Sequence, residues 1–474
     1  MDKVVIHWFR RDFRLTDNPS LAHAAATGAV VIPVCLLSTW QGGSHRWTGP
    51  PRQDFLLDCL RSLDANIAAK GGRLLMRTGN PPGEILKLAI EAGATAIQFN
   101  RAVDWHGIRE EAELQTLAAA HGIECRSFND AVLHEPAEVL TREGNPYRVF
   151  TPYGKQWLSL PKQTTSAKQP VFAPPGNFAS LPVPDLSWWG YAAPSATAAR
   201  LAGGEKAARQ RLRAAVANVL DGYADHRDLP AGTTTSRLSQ DLRFGLISIR
   251  ELHARVADGM SNAATASVRR GHQVFLQELA WREFYIQILR HFPDVLDDAF
   301  NPAFRGMEWD TDAGKFDRWK HGMTGFPIVD AGMRQLRATG WMHNRVRMIV
   351  AMFLSKDLHL DWRLGEQYFM QSLVDGEIAS NNGGWQWSSG TGADAAPYFR
   401  IQNPWTQTRR YDPEGVYIKS WIPELRDVPP ARFLAPPDPG QRLARDYPLP
   451  MVDHQRERDI TLDRFKQHKE LPPV

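Results

Sequence analysis

The stretch "VVIHWFRRDFRLTDNPSLAHAAATGAVVIPVCLL", residues 4–37, decides the fold of the first part of the chain. It begins and ends with a short apolar run whose length and β-branched composition are typical of a buried strand. Further apolar runs follow, "RLLMR", "TAIQF" and "IECRSF", with helix-like segments such as "RQDFLLDCLRSLDANIAAK" between the runs. Strands and helices that alternate at this spacing predict a doubly wound α/β domain with a parallel sheet.

The character of the sequence changes twice after this first domain. Prolines cluster from about residue 131 to residue 203, as in "LPKQTTSAKQPVFAPPGNF", which is typical of a long connector that wraps a surface. The later patterns are helical, for example "HQVFLQELAWREFYIQILRHF". A chain of 474 residues also exceeds one ordinary core. We therefore predict an α/β domain at 1–130, a connector at 131–203 and an all-α domain at 204–474.

Composition excludes several classes of protein. Hydrophobic content of 43% and charged content of 23% are typical of a soluble globular protein. Cys35, Cys59 and Cys125 lie far apart, without the even number of a disulfide framework or the C-x-x-C spacing of a zinc site. The first residues do not resemble a signal peptide, and "AVVIPVCLL" is too short to span a bilayer. We expect a cytosolic protein without a metal site or a membrane contact.

Charge and aromatic content are compatible with a nucleic-acid partner. The net charge is +4 and the pI is about 8.9, although a local basic patch matters more than the total. The chain has 16 tryptophans, and most of them follow residue 150. A large buried core is the simplest account of so many indoles. Aromatic rings beside arginines would equally suit a partner with flat rings and phosphates.

Residues 375–390, "DGEIASNNGGWQWSSG", have an unusual composition. Acids, amides and glycines lead into Trp385 and Trp387, and neither a helix nor a strand favours such a mixture. A surface loop has little use for two large indoles. The segment is therefore a candidate for contact with a bound group.

Three other segments have both a structural and a functional interpretation. In "QELAWREFY", Glu278, Trp281 and Arg282 share a helix face, either as an exposed ion pair beside a half-buried ring or as part of a site. In "HNRVRMIVAMFLSK", one face carries Asn344, Arg345 and Met348, opposite a buried stripe of Val346, Ile349, Val350 and Phe353. The hydroxyls of "TTTSRLS", residues 233–239, would cap a helix or bind an anion at its N-terminus.

These segments resemble the photolyase/cryptochrome family. The resemblance rests on "HWFRRDFRLTDNPSL", "TTSRLS", "ELAWREFY", "TGFPIVDAGMRQLRATGWMHNRVRMIVAMFLSKDLHLDWRLGEQYFM" and "DGEIASNNGGWQWSSGTGADAAPYFRIQNP", and it extends over essentially the whole chain. Within the family, the chain looks most like the bacterial class I photolyases that act on cyclobutane pyrimidine dimers. The resemblance implies an α/β antenna domain, a connector and a helical FAD-binding domain.

The implied activity is light-driven repair of DNA by a carbon–carbon lyase. Excited, fully reduced FAD would pass one electron to a flipped-out pyrimidine dimer, the cyclobutane bonds would break, and the electron would return. The resemblance also implies a monomer that needs no protein partner and lies on the bacterial nucleoid when it binds DNA. A second, antenna chromophore is expected, with methenyltetrahydrofolate and a deazaflavin as the first candidates and another flavin or an empty pocket as the alternatives. Trp105, His106 and Gly107 replace the Asn-Glu pair expected for the folate, so its identity stays open.

The resemblance assigns roles by position. The implied FAD contacts are Tyr223, Thr235, Ser236, Arg237, Leu238, Ser239, Arg347, Asp375, Gly376, Glu377 and Asn381. The implied dimer contacts, treated as catalytic, are Glu278, Trp281, Asn344, Met348 and Trp387. The implied DNA contacts are Arg227, Arg282, Tyr285, Arg345, Arg400 and Gln407. The implied electron-transfer chain from the surface to the flavin is Trp385, Trp362 and Trp319.

Several of these roles have a chemical reason. Arg347 would pair with Asp375 beneath the flavin ring, and the Asn381 amide would hydrogen-bond flavin N5. Glu377 stands where the family more often has Asp, with the charge kept. Glu278 would donate a hydrogen bond to a dimer carbonyl as charge builds there.

Three alternative functions remain open at this point. A cryptochrome would sense light without repair, but plant-type cryptochromes tend to lack the pair of Glu278 and Met348. A photolyase for (6-4) lesions would need two histidines where Asn344, Arg345 and Met348 stand. A flavoprotein that binds DNA without catalysis would never restore damaged DNA.

Overall fold

The computed structural model describes residues 3–38, 47–192, 201–394, 397 and 399–470. The connector segment 193–200 and residues 471–474 lie outside the described residues. The first domain contains the strands and crossover helices β1 (Val4–Phe9), α1 (Pro19–Thr27), β2 (Val30–Leu37), α2 (Pro50–Ala68), β3 (Leu75–Thr78), α3 (Pro81–Glu91), β4 (Ala96–Asn100), α4 (Trp105–Ala120) and β5 (Glu124–Phe128).

The predicted doubly wound α/β domain is confirmed. Its strands run in the order β3-β2-β1-β4-β5, and every neighbouring pair is parallel. Strands β1 and β2 are buried on both faces because helices cover both sides of the sheet. Local signals set the first crossover: Asn18 caps α1, Pro19 follows the cap, and Gly28 ends the helix at a φ of 68°.

The connector has more regular structure than a surface linker. It contains helix α5 (Phe150–Ser159) and the short strand β6 (Val171–Phe172). Strand β6 pairs in parallel with β2 and so extends the N-terminal sheet. Trp157 of α5 is completely buried, and its Nε1 donates to Glu283 in the following domain, 2.7 Å away. The connector therefore packs against both domains, with β6 on the N-terminal sheet and α5 against the helical domain.

The remaining residues form the predicted helical domain. Its helices are α6 (Glu205–Asn218), α7 (Tyr223–His226), α8 (Ser239–Arg243), α9 (Ile249–Ser261), α10 (Ala266–His291), α11 (Ala313–Lys320), α12 (Pro327–Thr339), α13 (Asn344–Met352), α14 (Trp362–Ser372), α15 (Ile378–Ser389), α16 (Pro404–Tyr411), α17 (Val416–Trp421) and α18 (His454–Glu470). A π-helical turn, Phe353–Asp357, continues α13. Within the described ranges, none of these helices has the length and apolar character needed to cross a bilayer.

Buried charges fix the two domains to each other. The Asp130 carboxylate accepts from Arg14 at 2.5 Å and from Arg250 at 2.7 Å, and Arg250 also contacts Asp17 at 3.1 Å. All four side chains are almost fully buried. Because buried charges are tolerated only when they are paired and hydrogen-bonded, this network favours one relative orientation of the domains.

The expectation that residues 375–390 avoid helical structure is wrong. Most of them form α15, in which the asparagines and glycines are poor helix formers. Tertiary packing supplies the reason: a Cβ on Gly383 would lie 2.1 Å from the Tyr285 ring of α10. The glycine therefore allows two helices to approach closely, and the Asn382 amide donates to the Val295 carbonyl at 2.8 Å.

Candidate flavin and lesion site

One cavity of the helical domain collects residues from α8, α10, α13, α14 and α15. It is lined by Ser239, Arg243, Arg282, Asn344, Arg347, Met348, Ala351, Phe369, Leu373, Asp375, Gly376, Glu377, Ser380, Asn381, Gly384, Trp385 and Ser388. Six of the predicted FAD contacts and two of the predicted dimer contacts are among them. These eight predicted residues, which are dispersed over the sequence, therefore meet at one place.

Asp375 anchors the polar wall of this cavity. Its carboxylate accepts from Arg347 Nη2 at 2.9 Å and from Ser239 Oγ at 2.6 Å. The Asp375 side chain is 2% exposed and the Arg347 side chain is 24% exposed, so the cation is the more accessible partner of the pair. The predicted pairing of Arg347 with Asp375 is confirmed as a contact.

Glu377 lies at the junction of the two domains. It forms an ion pair with Arg11, which follows β1 and also contacts Asp104 at 2.7 Å. Burial alone would raise the pKa of Glu377, but Arg11, Arg243 and Arg282 outweigh burial and hold that pKa at about 2. Glu377 is thus a permanent anion, and its longer side chain links the cavity to the N-terminal domain.

The cavity fits the isoalloxazine end of FAD in three respects. A Cβ on Gly384 would meet nothing within 4 Å, so this glycine leaves open space at the cavity wall. Among the described residues, the buried Trp385 Nε1 has no hydrogen-bond partner, and the cavity is beside it. Asn381 donates to the Glu366 carbonyl at 3.0 Å, which leaves its amide oxygen available to a ligand.

The predicted phosphate segment differs from the expected helix start. Residues 233–238 form an irregular coil, and the helix that follows, α8, has only five residues. Arg237 adopts a φ of 51° and lies over the Trp341 ring at 4.2 Å. Leu238 is buried, and Thr235 and Ser236 are half-buried. Burial raises the pKa of Tyr223, which packs edge-on against Phe275. A helix therefore does follow these hydroxyls, but it is only five residues long.

Two ion pairs involve predicted contacts that do not line the cavity. Arg227 pairs with Glu278, and Asp228 pairs with Arg345 at 2.8 Å. Arg345 also lies 4.7 Å over the Tyr411 ring. Burial raises the pKa of Glu278, although the charge of Arg227 opposes that shift. Three of these four charged residues, Arg227, Glu278 and Arg345, are predicted contacts with the dimer or with DNA.

The alternative interpretation of "QELAWREFY" as a pair between Glu278 and Arg282 is wrong. Glu278 forms an ion pair with Arg227, whereas Arg282 Nη1 donates a hydrogen bond to the Ala131 carbonyl at 2.8 Å. Arg282 lines the cavity on the side of Glu377. Arg282 thus links the connector to the cavity wall, and its predicted contact with DNA stays a prediction.

The aromatic residues of the site lie on α10 and α15. Trp281 and Trp387 are both half-buried. Trp281 contacts Tyr285 with 5.5 Å between ring centroids. Burial raises the pKa of Tyr285, so its hydroxyl stays protonated. Arg400 is exposed and Gln407 is half-buried in the segment beyond α15.

The predicted tryptophan chain lies in one hydrophobic core but lacks a surface end. Trp385, Trp362 and Trp319 all belong to it, and Trp319 lies 6.1 Å from Trp385 between ring centroids. Trp319 is 0% exposed, so its predicted position at the surface is wrong. Trp309 is half-buried and packs against the same core. Sequence reasoning missed Trp309, although the acidic residues on both of its sides indicated exposure.

A second, larger cavity lies between the N-terminal sheet and the helical domain. Aromatic rings line it, namely Trp8, Phe9, Phe13, Trp47, Trp105, Trp189 and Phe244. Arg10, Arg11, Asp104, His106 and Glu110 line it as well. A hydrogen bond to Glu110 raises the pKa of His106. Flat walls with several charges suit a planar, polar ligand.

The structure thus combines an α/β domain with a helical domain whose cavity is lined by an ion pair and by glycines, which defines a two-domain protein with a ligand cavity in its helical half. Residues 275–467 match the FAD binding domain of DNA photolyase, and residues 5–174 match the DNA photolyase domain. The chain belongs to the DNA photolyase family. Its helical domain is an FAD-binding domain.

Individual relatives cover nearly the whole chain. The deoxyribodipyrimidine photo-lyase of Halobacterium salinarum is 38% identical over 98% of this chain and 98% of the relative. A class III photolyase structure from Agrobacterium tumefaciens is 36% identical, covers 99% of this chain and 98% of its own, and has a TM-score of 0.91. A Sulfolobus tokodaii photolyase structure with two FAD molecules is 30% identical, covers 98% and 100%, and has a TM-score of 0.85. Assignment to class I stays a prediction.

Proposed function

We propose that this protein repairs cyclobutane pyrimidine dimers in DNA with light, as a deoxyribodipyrimidine photo-lyase that breaks carbon–carbon bonds. One observation carries the proposal. The same cavity is lined by Arg347, Asp375 and Asn381, which are predicted FAD contacts, and by Asn344 and Met348, which are predicted dimer contacts. A cavity that serves both groups places an electron donor directly against its acceptor.

The protein's own residues position and stabilise the two groups. Bound FAD in its reduced form supplies one electron to the dimer after it absorbs blue light. Arg347 and Asn381 orient the flavin, and Asp375 holds Arg347 in place. Trp281 and Trp387 receive the flipped-out dimer, because a lesion must leave the stack to enter such a pocket. Arg227 and Arg345 neutralise DNA phosphates, so binding weakens as salt rises.

Trp385 and Trp362 connect the flavin cavity to the surface in this proposal. Trp385 lines the cavity, and Trp362 begins α14 in the same core. The backbone N–H of Asp310, which follows Trp309, donates to the carbonyl of His359 at 2.8 Å. His359 precedes Trp362 by three residues. We assign the surface end of the chain to Trp309 because it is partly exposed where Trp319 is not.

The cavity between the domains takes the antenna chromophore in this proposal. Trp105, His106 and Gly107, which replace the expected folate-binding pair, all line that cavity. The Sulfolobus relative holds a second FAD, and its cofactor is described as light-harvesting. A flavin or a deazaflavin is thus a better match than methenyltetrahydrofolate. Mass spectrometry of the pigments released on denaturation identifies the chromophore.

Blue-light repair is the decisive test of the proposed function. We expect the reduced holoenzyme to remove dimers from ultraviolet-irradiated DNA under blue light and to leave them intact in the dark. Chromatography of digested DNA measures dimer loss directly. Dimers that persist under blue light, with flavin shown to be bound and reduced, would reject this proposal. A cryptochrome or a DNA-binding flavoprotein would give that result.

Glu278 provides a test at the level of one residue. We expect Glu278→Ala to lower the repair yield several-fold in bound complexes, because the dimer anion loses a hydrogen-bond donor. The acid donates only when protonated, and its folded pKa is raised by burial. Repair is therefore present below that pKa and declines as pH rises through it. The measurement is repair yield per absorbed photon against pH.

Glu278→Gln is the matched control for this pH dependence. The amide donates a hydrogen bond at every pH, so its profile should be flat where the wild type declines. A wild-type profile that is flat over the same range would contradict the assigned role of the acid.

The remaining parts of the proposal concern the surroundings of the enzyme. We propose a monomer that works in the cytosol, binds DNA on the nucleoid and needs no protein partner. Light scattering of the purified holoenzyme with and without DNA measures the assembly state.

A further inference from the structure

Trp281 is paired with a residue of the connector that sequence reasoning did not select. Phe150, the first residue of α5, lies face to face with Trp281, with 3.7 Å between ring centroids and 9° between ring planes. Isolated aromatic pairs prefer offset or edge-to-face arrangements over a direct sandwich. The surrounding packing must therefore impose this geometry.

Two neighbouring residues, Gly154 and Phe284, explain why the rings of Phe150 and Trp281 stack face to face. Gly154 follows Phe150 by one helical turn, and a Cβ at that position would lie 3.3 Å from Phe150 Cζ. Because Gly154 has no side chain, the Phe150 ring can lie along its own helix, α5. Phe284, which is completely buried, presents its ring at 77° to Phe150 and at 85° to Trp281. Edge contacts from one fixed ring hold both members of the stack.

The stack leaves Trp281 with one face for a ligand. Phe150 covers one face of the indole, and Phe284 and Tyr285 contact it from its own helix. Trp281 is nevertheless half-exposed. A base that stacks on Trp281 must therefore use the face opposite Phe150.

Phe150 also faces the segment that follows α15. The Asp394 carboxyl lies against the Phe150 backbone N–H, and that contact opposes the effect of burial, which raises the pKa of Asp394. Asp394 stands between Trp387 and Arg400 in sequence. The connector thus contacts α10, which carries Trp281, and the segment that follows α15, the helix that carries Trp387.

We propose that Phe150 is a positioning residue for lesion recognition: it fixes the plane of Trp281 so that the indole stacks on a flipped-out pyrimidine dimer. This inference rests on the proposed function and extends the binding site into the connector. Base–aromatic stacking depends on parallel planes. We therefore expect the protein to bind the dimer more weakly when the Phe150 ring no longer holds the plane of Trp281.

Variants of Phe150 test the proposal in the dark, before any repair occurs. We expect Phe150→Ala holoenzyme to bind a single-stranded oligonucleotide containing one dimer about ten-fold more weakly, ~1.4 kcal/mol. Affinity for the undamaged oligonucleotide should not change. Phe150→Tyr keeps the flat ring and should restore wild-type affinity. Phe150→Leu keeps apolar volume without a ring and should behave like Phe150→Ala. Fluorescence anisotropy measures all four affinities.

The controls separate positioning from loss of fold. Leu158→Ala changes an exposed residue of the same helix and should bind like the wild type. Wild-type affinity in Phe150→Leu would overturn the proposal, because apolar filling alone would then suffice. Equal weakening for damaged and undamaged DNA would also overturn it. If the wild type itself shows no preference for the dimer, the proposed function fails as well, and blue-light repair by the wild type distinguishes these cases.

Discussion

Trp385→Phe is expected to slow the light-driven reduction of oxidised flavin by more than an order of magnitude while repair by already reduced enzyme continues. Trp385 is 2% exposed, lines the flavin cavity and packs edge-on against Phe369 at 5.0 Å. A phenyl ring fills most of the same space but is much harder to oxidise than an indole. The substitution therefore removes the first electron donor and keeps the cavity. Absorbance of the flavin during blue illumination with an external reductant measures the rate.

Trp319→Phe and Trp309→Phe complete this experiment. Trp319 touches Trp385 but is completely buried, so we expect Trp319→Phe to photoreduce at nearly the wild-type rate. Trp309 is partly exposed, so Trp309→Phe should slow photoreduction strongly. Normal photoreduction in Trp385→Phe would show that electrons enter by another route. A slow Trp319→Phe with a fast Trp309→Phe would restore the chain predicted from sequence.

Local patterns were sufficient to predict the first domain. The apolar runs at 4–9 and 30–37 coincide with β1 and β2, because a strand buried on both faces must be apolar throughout. A buried strand of this kind can be predicted from a few consecutive apolar residues. The connector was harder to predict, since α5 and β6 are stabilised by packing against the two domains rather than by local propensity.

Helix α15 shows why the site could be predicted only in part. Its composition argues against a helix, and the compensating contacts of Gly383 and Asn382 come from residues distant in sequence. The partners of Glu278 and Arg282 were missed for a similar reason. Helical spacing places those two side chains on one face, but Arg227 and Ala131, which approach from other segments, decide where each one bonds.

Asp375→Asn is expected to weaken FAD binding by about ten-fold or more, because a charged hydrogen-bond partner is lost at the cavity wall, at a cost of ~1–3 kcal/mol. The carboxylate accepts from Arg347 and from Ser239, and both of these line the cavity. The amide of Asn has nearly the same shape but presents an NH₂ group to one of two donors. Arg347 would then lose its fixed orientation. Titration of the apoprotein with FAD, followed by flavin fluorescence, measures the dissociation constant.

Asp330→Asn is the matched control, since it makes the same substitution at a carboxylate that is also buried in the helical domain. Asp330 accepts from Thr324 and Gly325 and from the hydroxyl of Tyr447, and it does not line the flavin cavity. We expect Asp330→Asn to lower the melting temperature and to bind FAD normally once folded. Equal loss of FAD in both variants would mean that general destabilisation, not the contact with Arg347, determines cofactor binding. Normal FAD binding in Asp375→Asn would exclude the carboxylate from any role in holding the flavin.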